Sequence, residues 1–361
     1  MVIRFLLLVL ALIPLSAQSP RHITVYEEAG RFGGWPANHG IWSWNNEILV
    51  GFAAAWFQNK DVGRHQMDSN KPEEPRLARS VDGGETWTIE SPKSLLPPEQ
   101  GGATVRDLDA PIEFTRPGFA MALRLTSVHN GPAYLFYSYD KGKSWRGPFR
   151  FPMLGFQGVA ARTDYTVLGP KQARVFLTAA KSNGREGRPF CAETKDGGKT
   201  WSLMSMIGPE PPGFSIMPSA LRIGGSEWIA ATRVKQEPVN WIELYRSLDD
   251  AKTWKSEGRI ADTGSGSGNP PHMIKVKDGR ICLTYGYRSK PFSIRAKFSS
   301  NNGKTWSKEV TLRDDAAAWD IGYPRSVQRT DGKVVTIYYY NDAPHRERFI
   351  AATIWDPEMY K

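Results

Sequence analysis

Along most of the chain, apolar and polar residues alternate with a period of two, in runs of about four to eight residues broken by Gly, Pro, Asn and Asp. His22-Ile23-Thr24-Val25-Tyr26-Glu27 is one such run. A longer unit starts at Gly34-Trp35-Pro36-Ala37, continues through Ile41-Trp42-Ser43-Trp44, turns at Asn45-Asn46 and runs on through Glu47-Ile48-Leu49-Val50-Gly51-Phe52. After an insertion it resumes from Arg76 to Trp87. This is strand, strand, loop, strand, turn, strand: one four-stranded unit. The same order returns in residues 110–149, 158–204, 217–255 and 269–310. A sixth unit starts at Gly322-Tyr323-Pro324, turns at Asp331-Gly332 and ends with Phe349-Ile350-Ala351-Ala352-Thr353-Ile354-Trp355, one strand short. The lone strand near Ile23 and Val25 can complete it, which would close the units into a ring and leave no unpaired strand edges. Little helix is expected.

One phrase punctuates the units. Ser80-Val81-Asp82-Gly83-Gly84-Glu85-Thr86-Trp87 returns around Asp140, Asp196, Asp249 and Asn301, at intervals of 52 to 58 residues. A repeat of this period marks a modular architecture. At a hairpin tip the Asp side chain accepts hydrogen bonds from turn amides, the Gly supplies positive φ, and the Trp brings a large apolar surface back into the sheet. These residues are therefore structural. The fourth copy has Ala251 in place of Gly and the fifth has Asn301 in place of Asp; only the Ala copy is expected to be strained.

The phrase resembles the Asp-box of the sialidase-like β-propellers, whose modules are also called BNR repeats. The resemblance implies an all-β, six-bladed β-propeller of four-stranded antiparallel blades, closed by the N-terminal strand joining the last blade. It covers nearly the whole chain. It fixes activity less tightly, because propellers of this kind hydrolyse, cleave by elimination or only bind glycans.

Composition fits this reading. Among 361 residues, 13 Trp, 13 Tyr, 16 Phe, 34 Gly and 26 Pro suit short strands and tight turns. Residues 1–17, with Arg4 ahead of the apolar stretch Phe5 to Leu15 and then Ser16-Ala17, read as a secretory signal too short to span a bilayer comfortably. The mature propeller is then 18–361, secreted or periplasmic, with no stable membrane insertion, and a monomer is expected. Cys191 and Cys282 fall in different, non-neighbouring blades, so no disulfide between them is expected. No spacing suggests a metal, and no cofactor is implied. The net charge of +10 is spread along the chain, which fits an acidic glycan better than nucleic acid.

Candidate chemistry lies where the blades begin and on the loops of that face. The insertion Ala55 to Glu74 carries Asp61, Arg64, His65, Asp68, Glu73 and Glu74, whereas residues 261–268 read as a Gly/Ser connector. The resemblance implies three Arg around a substrate carboxylate, a Tyr nucleophile assisted by a Glu, and an Asp acid/base on a first-blade loop. Arg suits a carboxylate through two parallel charged hydrogen bonds, and a neutral phenol avoids repulsion by an anionic sugar. Carried onto this chain, Tyr323 takes the nucleophile's place, and Arg233 and Arg295 take those of two of the Arg. Asp61 and Asp68 are both candidates for the acid/base. The family's first Arg is replaced by Gly33-Gly34-Trp35-Pro36, with Arg31 close by, and the Glu is missing from Met217-Pro218-Ser219-Ala220-Leu221, although Glu243 lies later in that blade. His39, His65, His129 and His272 stand near blade starts and loops, where several together would suit acid/base work near neutral pH. Arg288, Asp320, Arg325 and the Arg162-Thr163-Asp164-Tyr165 run can contribute. Three readings follow: the first two are an exo-α-sialidase-type hydrolase releasing a terminal carboxylated sugar, and a lyase or other hydrolase acting on uronate-containing glycans through His, Tyr and Arg. A non-catalytic glycan-binding propeller is the third.

Overall fold

The computed structural model describes residues 19–61 and 63–361. In it each alternating segment pairs antiparallel with its neighbour in sequence, and the resulting sheets form the six blades of a β-propeller. Blade 4 (Phe214–Gly224, Glu227–Gln236, Val239–Ser247, Lys255–Asp262) and blade 5 (His272–Lys275, Ile281–Tyr287, Ser293–Ser299, Val310–Arg313) are plain four-stranded meanders. Blade 6 (Gly322–Gln328, Val334–Tyr340, Phe349–Trp355) takes Arg21–Tyr26 as its outermost strand, with Arg21 opposite Ile354 and Tyr26 opposite Ile350. The first and last parts of the described chain thus share one sheet, so the ring cannot open without breaking that ladder. The expected leader, residues 1–17, lies outside the described residues. Among those described, no helix is long and apolar enough to cross a membrane.

Blades 1 to 3 depart from the plain plan near the axis. In blade 1 the inner strand is split into Arg31–Gly34 and Ile41–Trp44, both paired with Glu47–Trp56, and the short helix Pro36–His39 fills the gap. Blade 3 splits likewise, Val159–Ala160 and Tyr165–Gly169 both pairing with Gln172–Ala180. Blade 2 has three regular strands, Ala120–Leu125, Ala133–Ser138 and Arg146–Phe151. Its inner edge is satisfied by blade 3: the Leu123 amide donates to Thr163 Oγ1 at 3.0 Å, and the Met121 amide to Tyr165 Oη at 3.2 Å. Sandwiching between neighbouring blades also explains why central strands such as Val334–Tyr340 are buried at every position.

The repeated turns behave as their residue types require. Asp82 Oδ1 accepts from the Glu85 and Thr86 amides at 3.1 and 3.0 Å and from Ser80 Oγ at 2.7 Å, while Oδ2 accepts from Thr86 Oγ1 at 2.6 Å. Desolvation pushes this carboxyl up, but those bonds outweigh it and hold it at about 2. Strain is not confined to Ala251 at φ 62°: Lys141, Asp250 and Asn302, each one residue before the Gly or Ala position, are also left-handed. Cys191 and Cys282 are free and buried in blades 3 and 5.

Candidate active site

Antiparallel alternation puts the repeated turns, which join third and fourth strands, on one side of the ring. The ends of the second strands and the blade 1 insertion then fall on the other. On that second face lies a depression of about 380 Å³ lined by residues of blades 1, 2, 3 and 6. Trp35, His65 and Tyr323 meet in one part of its wall, Arg124 meets His39 and Arg162 meets Asn38 in another, and Glu73 also lines it.

Tyr323 is the second residue of the inner strand of blade 6 and is left-handed, φ 52°. Such a backbone is costly for a bulky residue and persists only where surroundings impose it. Here Asn269 does so, its Oδ1 accepting from the Tyr323 amide at 2.8 Å while its Nδ2 donates to the Ile321 carbonyl at 2.8 Å. The Tyr323 hydroxyl accepts from Arg233 Nη1 at 2.8 Å. Arg233 Nε and Nη2 both donate to the Ser267 carbonyl, at 2.9 and 2.7 Å, so the Gly/Ser connector serves to anchor this arginine. Met217 stands at the blade 4 start, its sulfur 3.7 Å from Arg233 Nη1.

Asp320 has no exposed side-chain surface and sits behind this group. Its Oδ1 accepts from His65 Nδ1 at 2.7 Å and from the Tyr339 hydroxyl at 2.6 Å, and its Oδ2 from the Gln66 amide at 3.2 Å. Arg288 and Arg348 approach it at 3.8 and 3.6 Å. Burial raises the carboxyl, but His65 and the two arginines outweigh this and leave it well below the usual carboxylate range. A charged Asp320 fixes the proton of His65 on Nδ1 and leaves Nε2 as the free nitrogen of a ring that meets Trp35 and Tyr323 edge-on. Arg288, fully buried, donates to the Ile321 and Gly268 carbonyls and to Tyr339, and lies over the Tyr323 ring at 5.5 Å. It supports the tyrosine from behind and has no surface on the depression.

Glu73 is the carboxyl on the lining, and among the described residues no hydrogen bond or ion pair engages it. Burial pushes it above the ordinary glutamate value. Sequence reasoning placed it on the insertion but gave it no role. Arg124 was missed altogether, although Leu123-Arg124-Leu125 sets it near the end of Ala120–Leu125, the strand two before the repeated turn, as Arg233 is near the end of Glu227–Gln236.

Of the residues expected at the site, Tyr323, His39 and His65 reach the lining, and Arg233, Arg288 and Asp320 lie directly behind it. Arg162 is on the lining as well, and the others are elsewhere. Arg295 lies on the third strand of blade 5, stacked 3.6 Å from the Tyr287 ring and paired with Glu309 at 2.6 Å. Arg31 is turned to Glu74, the Ala54 carbonyl and the Trp56 ring. Asp61 is exposed off the lining, and Asp68 Oδ1 closes its own turn on the Asn70 amide. His272 is buried, its Nδ1 accepting from the Ser326 amide at 3.0 Å, and desolvation together with Arg325 holds it neutral, far below the ordinary histidine value. His129 accepts from the Glu186 amide, and Arg325 is spent on Asp164 and two carbonyls. Among the described residues, no group of His, Cys, Asp and Glu is arranged to hold a metal.

No curated protein matches the chain in sequence. A protein of unknown function from Dyadobacter fermentans has a similar structure, TM-score 0.70 at 20% identity, the match covering 93% of this chain and 98% of that one. Trypanosoma rangeli sialidase is similar at TM-score 0.63 and 13% identity, over 95% of this chain and 60% of its own. The Hadza microbial sialidase Hz136 is similar at 0.60 and 14%, over 89% and 66%. At these identities the likeness is one of fold. The model of the BNR repeat-like domain matches residues 54–336, most of the propeller, and the chain belongs to that family.

Proposed function

We propose that this protein is a glycoside hydrolase acting on a terminal anionic sugar, with Tyr323 as nucleophile, His65 as its base held by Asp320, and Glu73 as acid/base. The observation that carries the reading is the strained Tyr323, its hydroxyl bonded to Arg233 and its ring against His65, on the lining of a depression shared with Glu73. A phenol is a weak nucleophile until a neighbour takes its proton. His65 Nε2 is free to do so, and Asp320 stabilises the imidazolium that results. Tyr323 Oη bonds to the anomeric carbon as the bond to the aglycone oxygen breaks, and Glu73, whose hold on a proton burial strengthens, gives that oxygen its proton. A water then attacks the same carbon, losing a proton to Glu73, and the departing phenolate recovers its proton from His65. The sialidase likenesses support a glycan as substrate.

A second reading, eliminative cleavage of a uronate-bearing polysaccharide, is favoured by Met217 standing where the resemblance implies a glutamate and by the spending of Arg233 and Arg288 on carbonyls. A panel of fluorogenic sialosides and glucuronides against uronate polysaccharides separates the two: released fluorophore supports hydrolysis, and new ultraviolet absorbance supports elimination. Tyr323→Phe should cut either turnover about ten-thousand-fold with unchanged circular dichroism. Wild-type rates in that variant would remove Tyr323 from the chemistry.

A further inference from the structure

The wall of the depression formed by blades 2 and 3 contains a feature the reaction above does not use. Arg124 is 7% exposed, and among the described residues its hydrogen bonding is confined to Nη1, which donates to His39 Nδ1. Nε and Nη2 are buried without a partner. These two atoms form one edge of the guanidinium, the fork that grips two oxygens of a carboxylate or sulfate in parallel. Among the described residues, every other buried arginine has a carboxylate within 4.0 Å, Arg233 excepted. Arg233 is satisfied by the Ser267 carbonyl and Tyr323. Arg162, beside Arg124 on the lining, is spent on Glu186 and Asn38. A guanidinium withdrawn from water without a counter-charge is costly, and burial here pulls Arg124 down to about 9. Because the guanidinium can only donate, His39 Nδ1 accepts, and the ring proton lies on Nε2, a further donor at the same wall.

We propose that Arg124, with His39, binds an oxyanion carried by the glycan, a uronate carboxylate or a sulfate ester, on the blade 2 side of the depression. The anion of the substrate then sits on a wall separate from Tyr323 and its ring of carbonyl-bound arginines. The inference rests on the depression being the substrate site, but its test does not need turnover.

Thermal unfolding is followed in sodium sulfate, sodium glucuronate and sodium chloride at equal ionic strength, for the wild type, Arg124→Met, Arg124→Gln and Tyr323→Phe. The wild type should gain in Tm from sulfate, glucuronate or both beyond the chloride value, and which of them acts identifies the oxyanion. Both Arg124 variants should bind it at least about tenfold more weakly. Without the anion they should unfold at or above the wild-type temperature, since a buried unpaired charge has been removed. Tyr323→Phe should keep the full response while losing turnover; if no substrate is turned over by any form and this pattern still holds, the reaction assigned above fails and the anion site stands. Equal responses in wild type and both Arg124 variants, or a lowered Tm in both without anion, would overturn the proposal.

Discussion

The two faces of the ring solve opposite problems. On one, five near-copies of a single turn satisfy their own polar groups within a few residues, as Asp82 does with Ser80, Glu85 and Thr86. On the other, Trp35, Met217 and Tyr323 share a left-handed backbone just before a proline, but the side chains that the blade starts present differ from blade to blade. The tyrosine is strained, Glu73 has no partner among the described residues, and Arg124 leaves two of its three guanidinium nitrogens unpaired. Left-handed residues occur on both faces, but those of the turns, Asp250 and Ala251 for example, close a short hairpin. Tyr323 and Met217, in contrast, present large side chains to the axis. Repetition marks what the fold needs, and unrepeated, unsatisfied residues mark what a ligand is left to complete.

This contrast can be broken by mutation. The largest stability effect should come from Asp320→Asn, which leaves Arg288 and Arg348 buried beside a neutral group. A loss of about 3–5 kcal/mol is expected by denaturant unfolding, with turnover reduced as well. A near-neutral result would show that the cluster is not held by its charge. Glu73→Gln should lower kcat about a hundredfold and leave stability at pH 7 the same or slightly higher. The sign follows from its raised value: the folded state holds the proton more tightly than the unfolded chain, so Glu73 favours folding increasingly as pH falls through that value. The wild-type rate should correspondingly fall as pH rises through it, and the variant should lack that limb. On the opposite face, Asp82→Ala should cost about 1–2 kcal/mol with kcat unchanged; a change in kcat would mean that the two faces are coupled. Smallest of all, Ala251→Gly exchanges a left-handed strain of about 1–2 kcal/mol for a buried methyl of about 0.8 kcal/mol, a net gain of about 0.5 kcal/mol in thermal unfolding.

Much of this was open to reading in advance. The ring, its closure by the strand at Ile23 and the place of Tyr323 at the start of blade 6 follow from alternation and repeat. Arg295 misled because its position just before a repeated turn matches the resemblance, whereas the strand alternation turns its side chain onto Tyr287 and Glu309. The axial position in blade 5 belongs to Arg288, one residue past the second strand Ile281–Tyr287. Asp61 and Asp68 were drawn from a loop whose course no local pattern fixes, and Glu73, on the same loop, reaches the lining instead.

By itself the sequence determined how many blades there are and where each one turns, because a hairpin tip is decided by residues about four apart whose side chains bond their own backbone. Only the tertiary structure decided which groups share the depression and in what state. His65 and Asp320 are 255 positions apart and Arg233 and Tyr323 are 90 apart. The desolvation that raises Glu73 and strands Arg124 exists only once other blades have excluded the water around them.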